Sequence, residues 1–359
     1  MVRKQWRSAL GILLSAAFLV WVLRDVNVSQ VILNLRHSNA WYFLAATIAG
    51  TLIVPVRAIR WRYILAPVAE DLPFGQLWRA TAIGVMVTNV IPVRAGEIAR
   101  AYALARETPR VSFSAAFASL AVDRVFDALI VLLLVVVALL SPGFPHGRLI
   151  AGRSVGSLVS LGAIAVAAAA VVLYLIVFFP EPLIRLYEAF ARRVAPRFEA
   201  RGRDALVAFA RGLGVLRSPR HFAAVFVWTL AHWLLDAFAF WLGFKAVGIH
   251  APYSAALVLQ GIIAIGVALP SSPGFFGVFE AFSTAGLNIY GISPTLAVSW
   301  AFGFHILTFI PITVIGMYYF VRLGLHFREL RQEEEEVSGV DADSAHASRV
   351  ARGSSGDPG

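Results

Sequence analysis

Apolar runs of about 20 residues recur along this chain, separated by short basic stretches. A helix of that length spans the hydrocarbon core of a bilayer, and it satisfies its own backbone groups there. Full spans are expected at about 8–23, 40–57, 114–140, 154–179, 222–244 and 294–321. So much apolar surface cannot be hidden in one soluble core. Of the 359 residues, 59% are hydrophobic and 14% charged, against about 45–50% and about 25% in soluble domains. The fold class is therefore read as all-α integral membrane. The chain has no cysteine, which excludes disulfides, thiolate metal sites and cysteine nucleophiles.

The first run follows Arg3, Lys4 and Arg7 and so looks like a signal peptide. No small-x-small cleavage site comes after it, only Arg24-Asp25-Val26-Asn27, and it is read as an uncleaved span. Two further apolar stretches are interrupted. One, at about 77–92, ends in Asn89-Val90-Ile91-Pro92. The other, at about 254–290, is broken by Leu269-Pro270-Ser271-Ser272-Pro273-Gly274. Both are expected to be re-entrant or broken helices. With the N-terminus in the cytoplasm, 23 Lys and Arg fall on the cytoplasmic side and five outside. That asymmetry predicts cytoplasmic N- and C-termini. Each half then holds two spans, a broken element and a third span, so the halves have opposite orientation. Ala82-Ile83-Gly84-Val85 precedes Ile91-Pro92 in the first half, and Ala264-Ile265-Gly266-Val267 precedes Leu269-Pro270 in the second. The layout predicts six full spans plus two broken elements in two inverted repeats, about 8–140 and 154–323. These make up a transmembrane domain of residues 1–331 with its site at the broken helices.

The net charge of +10 lies between apolar runs, which points to anionic lipid headgroups and not to nucleic acid. Residues 180–221 form an Arg-rich amphipathic cytoplasmic segment. Leu183, Tyr187, Phe190 and Val194 share one helical face, as do Leu206, Phe209, Leu213 and Leu216. It is expected to lie on the inner leaflet. Residues 332–359 read as a disordered acidic tail.

Four motifs could carry chemistry. Arg57, Arg60 and Arg62 flank Trp61 at the end of the second span. They are either snorkelling side chains or a guanidinium cluster for lipid phosphate. Asn89, Pro92, Arg94, Gly96, Glu97 and Arg100 follow the first broken element. Pairing of Glu97 with Arg94 or Arg100 is expected there, because an unpaired charge in the membrane is costly. Asp123, Arg124 and Asp127 lie inside a long apolar span, with the two Asp on one face. Ser271, Ser272, Pro273, Gly274, Gly277 and Glu280 form the second break. Free N–H groups at a helix start, with the two Ser hydroxyls, would suit an anion such as phosphate. Glu280 is the sole charged residue between Lys245 and Arg322, so an Arg from the first half, Arg94 or Arg124, is expected to approach it. His232 and Asp236 are spaced to pair, and His305 sits in the last span.

The four motifs, in this order, resemble the flippase-like transmembrane domain of the lysylphosphatidylglycerol synthase family over about residues 8–325. The resemblance implies a polytopic helical fold with two inverted repeats in a bacterial cytoplasmic membrane. It also implies translocation of an anionic phospholipid or a polyprenyl-phosphate-linked lipid, with envelope lipid-modifying enzymes as possible partners. The soluble aminoacyl-transfer domain of the synthases is missing, so lysyl transfer is not expected. Many members have Arg where this chain has His305. No catalytic residue, metal or cofactor is expected. The alternatives are an intramembrane lipid-phosphate transferase holding Mg²⁺ on Asp123 and Asp127, or a scaffold for envelope enzymes.

Overall fold

The computed structural model describes residues 2–24, 26–91, 95–147, 152–194, 217–269 and 271–330, with a few positions between 199 and 207. Among the described residues there is no β-strand. The helices are α1 (Val2–Leu23), α2 (Val28–Arg36), α3 (Ala40–Leu65), α4 (Phe74–Val90), α5 (Gly96–Glu107) and α6 (Phe113–Leu139). They continue with α7 (Val155–Phe178), α8 (Pro180–Val194), α9 (Pro219–Ala246), α10 (Tyr253–Gly266), α11 (Val278–Ile289) and α12 (Pro294–Arg322).

Every apolar run becomes a helix. Four of them, α3, α7, α9 and α12, are long and apolar enough to cross a membrane. The pair α1 and α2, bent by 85°, would make a fifth if it is one span. The 27-residue α6 is as long, but Asp123, Arg124 and Asp127 interrupt its apolar character. Side-chain caps start several of these helices. Asn39, Ser112, Ser154 and Ser293 each accept a first-turn N–H, at α3, α6, α7 and α12, which satisfies donors a helix otherwise leaves open. The α3 helix runs eight residues past its expected end, because Ala58, Arg60, Trp61, Ile64 and Leu65 all face inward and are buried.

The two interrupted stretches fold as helical hairpins. At the root of the first, Arg79 bonds Glu107, and the Thr108 hydroxyl donates to Gln76 Oε1 at 2.9 Å. At its crossing, Gly84 lies against Gly96 and Arg100. The α4 and α5 helices are thus antiparallel, rooted beside the start of α6. In the second hairpin Gly266 lies against Phe282 and Gly286 against Leu259, so α10 and α11 are also antiparallel. Their root lies by the end of α6, where Phe144 meets Tyr290. The hairpins therefore enter the bundle from opposite ends. They approach each other where α4 packs on the Pro273–Phe275 turn that joins α10 to α11.

The longest packed seam is between α3 and α9, closed at one end by the Asn39 N–H to the Ala246 carbonyl at 2.8 Å. Two apolar cores flank it. One gathers the start of α3, the ends of α6 and α9, and the second hairpin. The other gathers the end of α3, the first hairpin, the start of α6 and the end of α7.

In α8 the inward positions are Ile184 and Ala191, while Leu186 and Phe190 are exposed. Phe190 therefore does not share the packed face expected for it with Leu183 and Tyr187. Phe209, Leu213 and Leu216, the Val194 side chain and the tail after Leu330 lie outside the described residues.

Candidate functional site

The intramembrane charges converge on one point. Asp123 and Asp127 lie ten and fourteen residues from Phe113 on α6, about 15–21 Å along a helix about 40 Å long. Both face α3. The Arg60 guanidinium, fully buried, donates to Asp127 Oδ1 at 2.6 Å and to Oδ2 at 3.3 Å. Its Nη2 also reaches Asp123 Oδ1 at 2.6 Å. Asp123 is shared: Arg100 from α5 donates to its Oδ2 at 3.0 Å. Three elements of the first half are thereby tied together.

The surroundings complete the coordination from α9. Trp233 Nε1 donates to Asp127 at 2.9 Å, Thr229 accepts from Arg60 at 3.3 Å, and His232 Nδ1 stands 3.7 Å from Asp127. His232 thus faces Asp127 and not its sequence neighbour Asp236, which has no hydrogen bond among the described residues. Trp61 donates to the Ser119 hydroxyl, and the Arg100 guanidinium lies over its ring at 4.1 Å. A buried network of this kind holds because every charge has a partner.

Two of the expected pairings are different. Glu97 bonds neither Arg100 nor, among the described residues, any arginine of its own motif. It accepts from Arg124 on α6 at 2.7 Å, with Arg124 50% and Glu97 37% exposed. The reason is geometric: Arg100 is turned one helical turn further, onto Asp123. Arg62 leaves the group altogether and meets the exposed Asp71 at 3.6 Å. Arg57, one turn before Arg60, is half-buried. Its Nε is buried without a partner, and it forms no ion pair with a described residue. Pro92 and Arg94 lie outside the described residues, as does Pro270.

The second break builds a different constellation. Glu280, fully buried in the first turn of α11, accepts the Gly277 N–H at 2.6 Å and meets His305 Nδ1 at 2.8 Å. Among the described residues the counter-group of Glu280 is therefore His305 of the following helix, while Arg124 pairs with Glu97. Phe276 and Phe279 press against the imidazole at 4.3 and 4.4 Å. Gly274 and Gly277 have φ of +66° and +87°, a conformation open to glycine. The Gly277 backbone also leaves no room for a Cβ beside the Ser15 carbonyl of α1.

Ser272 uses its N–H on Ser15 Oγ at 2.7 Å and its hydroxyl on the Phe276 carbonyl at 2.9 Å. The Ser272 donors, two of those expected to cradle an anion here, are thus committed to the protein. Ser271 is half-buried at the edge of the turn. Asn89, at the end of α4, donates to Thr313 of α12 at 2.8 Å. The Asn89→Cys/Thr313→Cys pair is therefore expected to form a disulfide readily in this cysteine-free chain. Gel mobility under non-reducing conditions reads it, and failure to cross-link under oxidation would contradict the α4–α12 contact.

Missed from the sequence were Ser119, Thr229 and Trp233. Each is an ordinary polar or aromatic residue of an apolar helix, and nothing in its spacing marks it as a partner of Asp127 or Trp61.

The family model for the lysylphosphatidylglycerol synthase TM region matches residues 8–316. A UPF0104 membrane protein of Methanothermobacter thermautotrophicus is 26% identical over 328 residues, covering 86% of this chain and 90% of that protein. The UPF0104 membrane protein PH1989 of Pyrococcus horikoshii is 21% identical over 332 residues, 88% and 96% of the two chains. Glycosyltransferase AglD of Haloferax volcanii is 34% identical over 119 residues, 33% of this chain but 19% of that one. These relatives are archaeal. No solved structure matches the chain.

Proposed function

The chain belongs to the lysylphosphatidylglycerol synthase TM region family and is a multi-pass integral membrane protein, and from that premise we propose that it moves an anionic lipid between the leaflets of its membrane. The observation that carries this reading is Arg57. Among the described residues Arg57 forms no ion pair with a carboxylate, though Asp123, Asp127 and Asp236 lie within electrostatic reach, and an intramembrane guanidinium that no carboxylate holds directly is a functional candidate. Arg60, Arg100 and Arg124 are each held by Asp123, Asp127 or Glu97, which leaves Arg57 for a phosphate. The half-exposed Arg124, paired with Glu97 of α5, also reaches Asp127 Oδ2 at 3.5 Å.

The two-repeat reading gains support from positions beyond the short sequence match. Gly84 and Gly266 both sit at hairpin crossings, and Glu97 and Glu280 both open the second helix of a hairpin. Each Glu then pairs with a basic group on the next long helix, Arg124 or His305, separated by 27 and 25 residues. We read α1, α3, α6, α7, α9 and α12 as six spans, with the hairpins α4–α5 and α10–α11 as re-entrant elements from opposite faces. Inverted repeats of this kind place the ligand at the repeat interface. The lipid is an anionic phospholipid or a polyprenyl-phosphate-linked lipid, and the segment similar to a glycosyltransferase makes a sugar-bearing headgroup a natural member of that class. No covalent step is proposed, since both carboxylates a Mg²⁺ ion would need are bonded to Arg60.

Arg57→Gln tests the reading. Losing one charge-assisted contact of about 1.5–3 kcal/mol lowers affinity for a labelled phosphatidylglycerol or polyprenyl phosphate by roughly tenfold or more. Vesicle translocation should fall in step. Arg62→Gln, at the surface, should change neither. Parent-level binding and transport by Arg57→Gln would overturn the proposal.

A further inference from the structure

The two Glu-base pairs differ in one chemical respect. Arg124 is cationic at every accessible pH, so its pair with Glu97 never loses its positive member. His305 titrates. With the imidazole protonated, the Glu280–His305 pair is neutral. With the proton lost, it carries one net negative charge in an enclosure where Glu280 is fully buried.

The environment makes that difference matter. The contacts of Glu280 Oε1 and Oε2 are His305 and the Gly277 N–H. Among the described residues no other charged or titratable side chain meets the pair. The charges of the neighbouring helices are engaged elsewhere: Arg60 of α3 on Asp123 and Asp127, Arg79 of α4 on Glu107, and His232 of α9 against Asp127. Arg57 of α3 and Asp236 of α9 lie within electrostatic reach of one another, and Lys245 of α9 lies over Trp241. The described part of α1 contributes Ser15, a neutral group, at the Ser272 amide.

We propose that the Glu280–His305 pair is a proton-binding site whose occupancy controls opening of the second hairpin, so that lipid movement is coupled to a proton. Proton bound, the pair is neutral and the hairpin stays closed on α12 and α1, as in this structure. Release of the proton to water leaves an uncompensated buried carboxylate, which is relieved when α11 separates from α12 and water enters. The turn at Gly274, Phe275 and Gly277, all with positive φ, is where the chain can reorient. Balance is simple: one proton leaves Nδ1 or Oε1 for water on opening and returns on closing. The coupling to lipid rests on the transport reading above, while the gating itself does not.

The test uses the full chain in vesicles with Ser283→Cys as its sole cysteine. Ser283 is fully buried one turn beyond Glu280. A water-soluble maleimide reacts through the thiolate, so each rate is divided by that of the same chain unfolded in SDS at the same pH, and this ratio should be low at acid pH and rise as the pH is raised. His305→Arg should keep the ratio low and flat across pH, as a permanently neutral pair. His305→Gln, which leaves the carboxylate unmatched, should make it high and flat. A purely structural histidine would give both variants the parent's profile or a common loss of folding by gel filtration, and either result overturns the proposal. So does a parent profile without pH dependence. If the labelling behaves as expected but Arg57→Gln still transports lipid at the parent rate, the cargo reading fails and the proton site stands.

Discussion

Arg60→Ala is expected to cost about 3–5 kcal/mol of stability, the price of breaking one partner out of a buried ionic network. Arg60 donates to both oxygens of Asp127 and touches Asp123. Without it, Asp127 keeps the Trp233 N–H and a 3.5 Å approach of Arg124, and Asp123 keeps Arg100 alone. Two carboxylates one helical turn apart would then share too little positive charge inside the helical bundle. The measurement is thermal unfolding in detergent, followed by loss of the monodisperse gel-filtration peak. Arg60→Met/Asp127→Asn should recover part of the loss, because the second change removes the charge that the first one strands. The two sites are in contact, so the effects should be non-additive. If Arg60→Ala melts with the parent protein, the network does not hold the bundle together. If Arg57, one turn earlier on α3, binds the lipid as proposed, Arg60→Ala should also weaken lipid binding through the shift of α3.

What the sequence revealed of this fold follows from what burial rewards in a membrane. The apolar runs were readable because their length is set by the bilayer, and α7 and α12 begin and end within a residue or two of the expected limits. The breaks were readable because Pro and Gly cluster there and favour an end to the helix, and both became hairpins. The end of α3 was not readable. Arg57, Arg60 and Arg62 look alike in sequence, yet Arg60 is fully buried, Arg57 half-buried and Arg62 on the surface. Only the rotation of the helix against α6 and α9 distinguishes them. The charged residues were found, but their partners were not. Glu97 reaches across to Arg124 and Glu280 to His305, each on the following long helix, and separations of 27 and 25 residues have no periodicity to betray them. His305 looked like a departure that left Glu280 without a counter-charge. The structure makes it the partner.

The other large effect should come from the hairpin crossing, where the constraint is steric. A Cβ on Gly96 would overlap Thr88 Oγ1 and the Gly84 carbonyl, and a Cβ on Gly84 would meet Gly96 and Arg100 in return. Small residues at such a crossing let two backbones approach closely. Gly96→Ala should therefore cost about 1–3 kcal/mol through overpacking, and Gly96→Val more. Thr88→Ala added to Gly96→Ala should restore only part of this, since it removes the hydroxyl but leaves the Gly84 carbonyl in place. Gly156→Ala is the control. Gly156 lies in α7 with open space around it, and alanine there should be neutral or stabilising by roughly 0.5–1 kcal/mol. The consequence for function follows from what α5 carries. Glu97 and Arg100 stand one and four residues beyond Gly96, and through Arg124 and Asp123 they connect the hairpin to α6. Pushing α5 away from α4 displaces both contacts together, while Arg57 on α3 keeps its own backbone. Gly96→Ala is thus expected to slow vesicle translocation more than it weakens lipid binding, the reverse of Arg57→Gln. Equal losses of binding and transport in both variants would mean that the hairpin has no role beyond supporting the binding group.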